Sequence, residues 1–148
     1  SNRAVIPQII TQIFNKKNQI KLGSLMPTRD FNYVKDTASA FIAVANSKKT
    51  IGEIINSASN FEISIGDTAN LISELMNYPI QIETENDRLR PDNSEVNRLY
   101  GCNKKIQQLT NWSPKYQGLE GFRNGLKITI DWFKDSQNLK LYGSEYLI

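Results

Sequence analysis

The sequence predicts an α/β fold in which short strands alternate with about five helices. Apolar residues recur at intervals of three and four in residues 5–14 and again in residues 119–133, which is typical of amphipathic helices. Short runs in residues 19–22 and 80–83 alternate apolar with polar side chains, which is typical of half-buried strands. With 148 residues, of which 39% are hydrophobic, the chain is long enough for one domain with a single core.

The first third of the chain predicts two helices and two strands. A helix covers residues 5–14, and Pro7 fits its first turn because the missing N–H would have no partner there. Strands follow at residues 19–22 and 30–34. Asp36 is the predicted N-cap of a second helix. One face of that helix carries the apolar residues Ala38, Phe41, Ile42 and Ala45.

The middle of the chain predicts further short strands around one capped helix. Residues 53–56 form an apolar run between Gly52 and Ser57, the pattern of a buried strand. Residues 61–63 form another extended piece. Ser64 and Asp67 then form a capping box at the start of a helix, which ends at Asn77.

The last part of the chain predicts a strand, a polar loop and two helices. The strand covers residues 80–83, and the loop covers residues 86–93. A short helix near residues 103–109 is ended by the sequence Trp112-Ser113-Pro114. The final helix presents its apolar residues in the order Leu119, Phe122, Leu126, Ile130 and Phe133.

Composition excludes several kinds of chemistry. The chain has no His and one Cys, Cys102, which excludes Ser-His-Asp catalysis, His-ligated zinc and intrachain disulfides, so no metal site is predicted. The net charge of +3 comes from basic residues scattered in ones and twos, which argues against a nucleic-acid-binding domain. No apolar stretch approaches membrane-spanning length, so we expect a cytoplasmic protein without a membrane partner. The chain begins without Met, which suggests that an upstream portion has been removed.

Two patterns resemble parts of dinucleotide-dependent enzymes but lack the required context. Gly118, Gly121 and Gly125 do not follow a strand, and they lie within a helical apolar pattern, so we interpret them as small residues that permit close packing. Tyr100 and Lys104 have the Y-x-x-x-K spacing of a catalytic pair. The intervening residues disfavour a regular helix, so we interpret this pair as surface residues.

Five motifs in order along the chain carry a family resemblance. They are RAVIPQII at residues 3–10, RDFNYVKD at 29–36, IIN at 54–56, RP at 90–91 and LTNWSP at 109–114. Together they resemble the C-terminal part of extended short-chain dehydrogenases/reductases, the NAD-dependent epimerase/dehydratase family, and among these the nucleotide-sugar 4,6-dehydratases such as UDP-N-acetylglucosamine 4,6-dehydratase. The resemblance implies a substrate-binding lobe over residues 1–148, without the Rossmann half that binds NAD and carries the catalytic residues.

The resemblance also implies which residues bind the substrate, a nucleotide sugar. Arg29 and Arg90 match the arginines that contact the diphosphate, whereas the alternative roles are a surface ion pair of Arg29 with Asp30 or Asp36 and a solvated loop position for Arg90. Asn56 matches an Asn near the same site. The predicted neighbours of the base are Val5, Ile6, Pro7 and Leu22.

Several points stay open at the level of sequence. Residues 55–60 lack the glycine that usually follows the buried strand; if that turn needs a positive φ, Asn60 is best able to supply it. The alternatives to a dehydratase are a nucleotide-sugar 4-epimerase and a non-catalytic binding or interaction module. This portion is expected to hold no cofactor and no catalytic residue, while the full-length enzyme uses NAD. A homo-oligomer is expected, because unpaired strand edges and apolar helix faces would otherwise be exposed.

Overall fold

The chain folds into helices joined by short strands, as the sequence predicts. The computed structural model describes residues 4–85, 88 and 96–142. In these residues there are six α-helices: α1 (Val5–Phe14), α2 (Val34–Ala45), α3 (Ile65–Leu75), α4 (Lys104–Thr110), α5 (Gly118–Phe133) and α6 (Ser136–Lys140). The strands are β1 (Gln19–Leu22), β2 (Thr28–Arg29), β3 (Ile63–Ser64), β4 (Gln81–Thr84) and β5 (Arg98–Leu99).

The strands form two small sheets. β1 pairs with β4 in parallel, with Gln19 opposite Gln81 and Leu22 opposite Thr84. The second sheet has the order β3-β2-β5, and β2 and β5 are parallel, with Arg29 opposite Leu99. Parallel neighbours need long crossover connections, which the intervening helices provide.

The chain divides into two compact units, each assembled from separate stretches of sequence. Unit 1 comprises Ser1–Pro27, Ser64–Asn97 and Leu126–Ile148. Unit 2 comprises Thr28–Ile63 and Arg98–Gly125. Each unit contains its own buried residues.

Unit 1 is organised around α1, which is buried along most of its length. Ile9 and Ile10 are fully buried, as is Ile20 of β1. The Gln12 side chain joins the helix to that strand, because its Oε1 accepts from the Lys21 N–H at 2.9 Å and its Nε2 donates to the Lys21 carbonyl at 3.2 Å. A buried polar side chain is tolerated here because its hydrogen bonds are formed.

Unit 2 contains an aromatic group and a second apolar cluster. Phe122 of α5 stacks with Phe31 at 5.5 Å between ring centroids and lies 6.2 Å from Phe61. The apolar cluster contains Trp112, whose indole Nε1 donates to Ser39 Oγ at 2.8 Å. Helix α5 supplies residues 118–125 to this unit and residues 126–133 to unit 1.

Several local predictions are confirmed. α1 and β1 have the predicted bounds. Ser64 is the N-cap of α3, and its Oγ accepts from the Asp67 N–H at 2.9 Å. Asn60 has a φ of +57°, the conformation predicted for the turn that lacks glycine.

The predicted strand at residues 30–34 and the predicted cap at Asp36 are wrong. The strand consists only of Thr28–Arg29, and α2 already begins at Val34, with Tyr33 as its N-cap residue. Asp36 is buried in the first turn of α2, where its carboxylate accepts from the backbone N–H groups of Lys115 at 3.1 Å and Tyr116 at 2.8 Å. These tertiary hydrogen bonds determine the role of Asp36, and the local sequence does not contain them.

The predicted strand at residues 53–56 does not form. This segment is irregular, and Ile54 is 87% exposed. The apolar pattern predicts burial, but a strand also needs a hydrogen-bonded neighbour. Within the part of the chain that the structure describes, residues 54–56 have no strand beside them.

No helix among the described residues is both long and apolar enough to cross a membrane.

Candidate functional site

The predicted substrate-binding residues fall in different parts of the chain. Arg29 and Asn56 belong to unit 2. Val5, Ile6, Pro7 and Leu22 belong to unit 1. Arg90 lies outside the described residues, so a shared anion site of Arg29 and Arg90 stays a prediction.

Unit 2 contains a concave surface, which we call the polar hollow, with a volume of about 310 Å³. It lies between the loop before β3 and the end of β5. Its lining residues are Asp30, Asn32, Asn56, Ser57, Ala58, Leu99, Tyr100 and Gly101. No Lys or Arg is among them, so the hollow offers hydrogen bonds and a small apolar surface instead of a cationic site.

Asp30 fixes the two walls of the polar hollow. Its Oδ1 accepts from the Ser59 N–H at 2.9 Å and from Ser59 Oγ at 2.6 Å. Its Oδ2 accepts from the Gly101 N–H at 3.3 Å. Both carboxylate oxygens are therefore engaged with the protein, and their role is to position the two loops.

Close backbone packing reinforces the same walls. A Cβ atom at Gly101 would lie 2.3 Å from Ala58 Cβ, so only glycine permits this approach. Asn103, fully buried, donates to the Ala58 carbonyl at 3.2 Å and accepts from Asn60 Nδ2 at 2.6 Å. The left-handed turn at Asn60 thus carries one of the hydrogen bonds that hold this loop.

Asn32 is the one residue of the hollow with a buried side-chain atom that has no partner. Its Nδ2 donates to the Ser57 carbonyl at 2.9 Å and to Ser57 Oγ at 3.4 Å. Its Oδ1 is buried, and among the described residues no other buried side-chain nitrogen or oxygen lacks a hydrogen bond. Sequence analysis did not single out Asn32, because one Asn in a loop carries no pattern.

Arg29 lies at the end of β2, next to the hollow in sequence and in the sheet. It precedes Asp30 and pairs with Leu99, both of which line the hollow. Its Nη1 donates to the Thr28 carbonyl at 2.8 Å, and the residue is half-buried. Asn56 is exposed and lines the hollow directly.

An ion pair lies on the same sheet. Arg98 Nε donates to Glu62 Oε2 at 2.9 Å, and Thr28 Oγ1 donates to the same oxygen at 2.7 Å. These hydrogen bonds, Arg98 first, lower the pKa of the Glu62 carboxyl from 4.5 to about 2. The Arg98 guanidinium also lies 5.1 Å from the centre of the Tyr100 ring.

The unit 1 residues of the predicted site lie on α1 and β1. Val5, Ile6 and Pro7 form the half-buried first turn of α1, whereas Leu22 is buried in β1. Arg88, which sequence analysis missed, connects this region, because it donates to Glu85 Oε2 at 2.6 Å and to Gln8 Oε1 at 3.3 Å. Nothing in the local sequence distinguishes Arg88 from other loop arginines.

The two patterns interpreted as non-catalytic have structural roles. A Cβ atom at Gly121 would lie 2.3 Å from the Tyr116 backbone, and one at Gly125 would lie 3.4 Å from the Tyr33 ring. Gly121 therefore permits a close approach, as predicted, and Gly125 lies against the Tyr33 ring. The prediction is wrong for Gly118, which has no atom within 4 Å of an added Cβ and instead has a φ of +67° at the start of α5. Tyr100 precedes α4 while Lys104 begins it, so the two residues do not share one helical face.

Comparison with known proteins identifies what the chain resembles. Residues 2–125 match the family described as GDP-mannose 4,6 dehydratase. The human dTDP-D-glucose 4,6-dehydratase is 30% identical over 135 residues, which are 89% of this chain and 37% of that protein. The predicted resemblance to dehydratases and epimerases of nucleotide sugars is therefore confirmed.

Solved structures of similar proteins have the same fold over most of this chain. An epimerase of Methanothermobacter thermautotrophicus superposes with a TM-score of 0.79 at 28% identity, over 92% of this chain and 38% of that one. A UDP-N-acetylglucosamine 4-epimerase of Methanobrevibacter ruminantium, solved with UDP-N-acetylmuramic acid, gives 0.74 at 26% identity, over 88% and 39%. The chain thus spans well under half the length of these relatives.

Proposed function

The chain belongs to the GDP-mannose 4,6 dehydratase family, and on this basis we propose that it is the nucleotide-sugar-binding portion of an NAD-dependent 4,6-dehydratase. The sugar nucleotide that best fits the motifs is a UDP-sugar. The observation that carries the proposal is the position of Arg29, which ends β2 next to two residues of the polar hollow. A cation beside a hollow whose lining is otherwise polar and uncharged, apart from the Asp30 carboxylate that the protein itself engages, is suited to a ligand with an anionic part and a neutral polar part.

The chemistry of Arg29 suits a diphosphate. A guanidinium remains protonated at all physiological pH values and offers a planar set of donors that matches phosphate oxygens. A hydrogen bond to a charged group contributes about 1.5 to 3 kcal/mol. Such contacts, remote from the reacting atoms, can supply the binding energy that positions the sugar.

We propose that NAD binds outside the portion of the enzyme that this chain represents. A dinucleotide site needs a glycine-rich turn between a strand and a helix, with backbone N–H groups directed at the pyrophosphate. Here Gly121 and Gly125 pack against Tyr116 and Tyr33. We therefore assign NAD, and the residues that exchange protons and hydride, to the part of the relatives' length that this chain does not span.

For the whole enzyme, we propose the dehydratase reaction. NAD, bound outside this portion, would accept the hydride that leaves C4 as the C4 hydroxyl is oxidised to a ketone, and would return it to C6 after water is lost across C5 and C6. This portion contributes by holding the nucleotide so that the sugar is presented to the rest of the enzyme. A 4-epimerase remains the second candidate, since the chain also resembles epimerases; product analysis of the full-length enzyme separates the two, because only the dehydratase releases a 6-deoxy-4-keto sugar.

Calorimetric titration with UDP tests the binding role. We expect Arg29→Ala to weaken UDP binding by about tenfold to a hundredfold, the equivalent of one lost charge-assisted hydrogen bond. Lys49→Ala removes the same charge from an exposed position of unit 2 and is the matched control. Equal UDP affinities for the wild-type chain and Arg29→Ala would contradict the proposal.

A second titration uses NAD. We expect the chain to bind NAD no better than another nucleotide of similar charge. Saturable binding that prefers NAD over UDP-sugars would contradict the assignment of NAD to another part of the enzyme, and it would reopen the role of Gly118, Gly121 and Gly125. A non-catalytic binding module would show nucleotide binding but no turnover in the full-length protein.

A further inference from the structure

One ion pair spans the small sheet that carries Arg29. The sheet has the order β3-β2-β5, so β2 lies in the middle, and each of the three strands is only two residues long. Glu62 immediately precedes β3, and Arg98 begins β5. The hydrogen bonds between Glu62 and Arg98 therefore connect the two outer strands across β2.

The Glu62 carboxylate also holds the central strand. Arg98 Nη2 donates to Glu62 Oε1 at 2.5 Å, and Arg98 Nε donates to Glu62 Oε2 at 2.9 Å. Thr28 Oγ1 of β2 donates to the same Oε2 at 2.7 Å. One carboxylate thus binds side chains of both β2 and β5, and we call these three residues the Glu62 network.

The strand register places Arg29 on the other face of the sheet. Thr28 lies opposite Arg98, and Arg29 lies opposite Leu99. Successive side chains of a strand point to opposite faces, so Arg29 and Leu99 share the face that does not carry the Glu62 network. Leu99 lines the polar hollow. The Glu62 network therefore holds β2 from the face opposite to Arg29.

Thr28 also contacts the Arg29 guanidinium directly. The Thr28 carbonyl accepts from Arg29 Nη1 at 2.8 Å. A guanidinium is planar and rigid, so a hydrogen bond from one of its nitrogens to the main chain restricts the orientation of the whole group. Because β2 has only two residues, the side-chain hydrogen bond of Thr28 is a large part of what fixes this strand. Whatever fixes Thr28 also fixes the guanidinium.

Stability alone does not account for the Glu62 network. The side chains of Arg98 and Glu62 are 64% and 27% exposed, and an ion pair of this exposure contributes little to the free energy of folding. Its position across the strand of Arg29 instead indicates a role in placing that residue.

We propose that Glu62 is a positioning residue for the diphosphate of the nucleotide: it fixes Thr28 and, through Thr28, holds the Arg29 guanidinium in the orientation that binds phosphate oxygens. This inference rests on the proposed function, because it requires that Arg29 binds the diphosphate. A side chain that is ordered before binding raises affinity, since the ligand does not have to order it. The sign of the effect is diagnostic. Removal of a negative charge would by itself strengthen the binding of an anion, whereas loss of positioning weakens it.

Calorimetric titration of the 148-residue chain with UDP tests the proposal. Thr28→Val removes the hydroxyl and keeps the shape of the side chain, and Glu62→Ala removes the carboxylate. Each should raise the Kd of UDP by about 3- to 10-fold. Thr28→Ser retains the hydroxyl and should bind UDP as the wild-type chain does.

Glu53→Ala is the matched control. Glu53 Oε2 accepts from Lys105 Nζ at 2.7 Å, so this variant removes the same charge and breaks an exposed ion pair of unit 2 outside the sheet. The Kd of UDP should not rise in this variant. Urea denaturation measures the free energy of unfolding of each variant separately, and the titrations are made where every variant is folded.

A double-mutant cycle with Arg29 distinguishes positioning from a general structural effect. Glu62→Ala should raise the Kd of UDP in the wild-type background and leave it unchanged in the Arg29→Ala background. The cycle has a counterpart without ligand. In NMR spectra, the Nε–H signal of Arg29, identified by its loss in Arg29→Ala, should shift in Thr28→Val and keep its position in Glu53→Ala.

The outcomes separate the two proposals. If the wild-type chain does not bind UDP, or if Arg29→Ala binds it equally well, the proposed nucleotide function fails. If Arg29→Ala weakens binding while Thr28→Val and Glu62→Ala do not, the positioning role of Glu62 is overturned and the nucleotide function stands. An equal effect of Glu62→Ala with and without Arg29 also overturns this role, because Glu62 then acts independently of the guanidinium.

Discussion

Asparagine occupies several turns of this protein at positions with a left-handed backbone conformation, which glycine commonly occupies. Asn60, Asn77 and Asn111 have φ values of +57°, +49° and +60°. Asn is, after glycine, among the residues that adopt this conformation most readily, because its short side chain forms local hydrogen bonds. Asn77 and Asn111 follow the ends of α3 and α4, and Asn60 shapes a loop of the polar hollow.

The substitution Gly101→Ala tests how closely the walls of the polar hollow pack, because it adds a single carbon atom. The added Cβ of Gly101→Ala would lie 2.3 Å from Ala58 Cβ, and neither atom belongs to a flexible side chain. We expect a loss of about 1 to 3 kcal/mol in the free energy of unfolding, measured by urea denaturation.

Gly66→Ala is the control for Gly101→Ala. The nearest atom to its added Cβ lies at 3.5 Å, and the position belongs to α3. The free energy of unfolding of the Gly66→Ala variant should be unchanged or slightly increased, because alanine favours a helix more than glycine does. Equal effects of the two substitutions would contradict the close approach at Gly101.

Glu62 gives a pH prediction. Its folded pKa of about 2 lies below the ordinary 4.5, so the unfolded chain binds more protons between these values. The stabilisation by Glu62 is therefore complete above about pH 4.5 and is lost as the pH falls through 2. Carboxyl NMR titration should give this low pKa in the native chain.

The Arg98→Gln variant separates the causes of that shift. Without the guanidinium, the Glu62 pKa should rise towards 4.5 and remain below it, because Thr28 Oγ1 still donates. A pKa that stays near 2 in Arg98→Gln would show that Arg98 is not its main cause.

Among the elements, α3 has the clearest cap. Ser64 Oγ accepts from the Asp67 N–H and donates to Asp67 Oδ2 at 2.6 Å, which satisfies a backbone donor that the first helical turn leaves unpaired. Ser64→Ala should lower the free energy of unfolding by about 1 kcal/mol, measured by thermal or urea denaturation.

Ser64→Thr retains a hydroxyl that accepts from the Asp67 N–H and donates to the Asp67 carboxylate, and it should recover most of that loss. Ser136→Ala, at an exposed position that begins α6, should change stability by less than about 0.5 kcal/mol. A Ser64→Ala variant as stable as the Ser136→Ala variant would show that the cap does not stabilise α3.

α2 shows why apolar periodicity alone does not identify a core face. Ala40 is buried against Ile106 and Trp112, whereas Phe41 and Ile42 are 73% and 63% exposed. A helix that is apolar on more than one side is typical of an element covered from more than one side. The described residues bury the side of α2 that carries Ala40 and leave Phe41 and Ile42 exposed.

At the scale of the whole molecule, this uncovered surface leads to a prediction about assembly. Val34, Phe41, Ile42 and Ile54 are all exposed in unit 2, and the segment at residues 53–56 lacks a strand partner within the described part of the chain. Apolar surface and unpaired backbone of this kind favour association between identical chains. Light scattering after gel filtration should show a dimer or larger species that dissociates on dilution.

Phe41→Asp and Ile54→Asp should shift that assembly towards the monomer, because each places a charge in the contact. Lys49→Glu alters an exposed residue between them and is the control. A wild-type chain that stays monomeric at all concentrations and unfolds cooperatively would show that the described fold needs no partner.

The sequence by itself determined what depends on neighbours along the chain. Apolar spacing gave the bounds of α1 and the course of α5, the Ser64 and Asp67 pair gave the start of α3, and the lack of glycine gave the left-handed Asn60. The family also follows from sequence, because each of its motifs is a short unbroken segment of the chain that can be recognised without the fold. Only the tertiary structure decided the role of Asp36, the lack of a strand at residues 53–56 and the lack of a hydrogen-bond partner for Asn32 Oδ1. Each of these depends on a hydrogen bond to a residue more than twenty positions away, or on the absence of one, and periodicity contains no information about such partners.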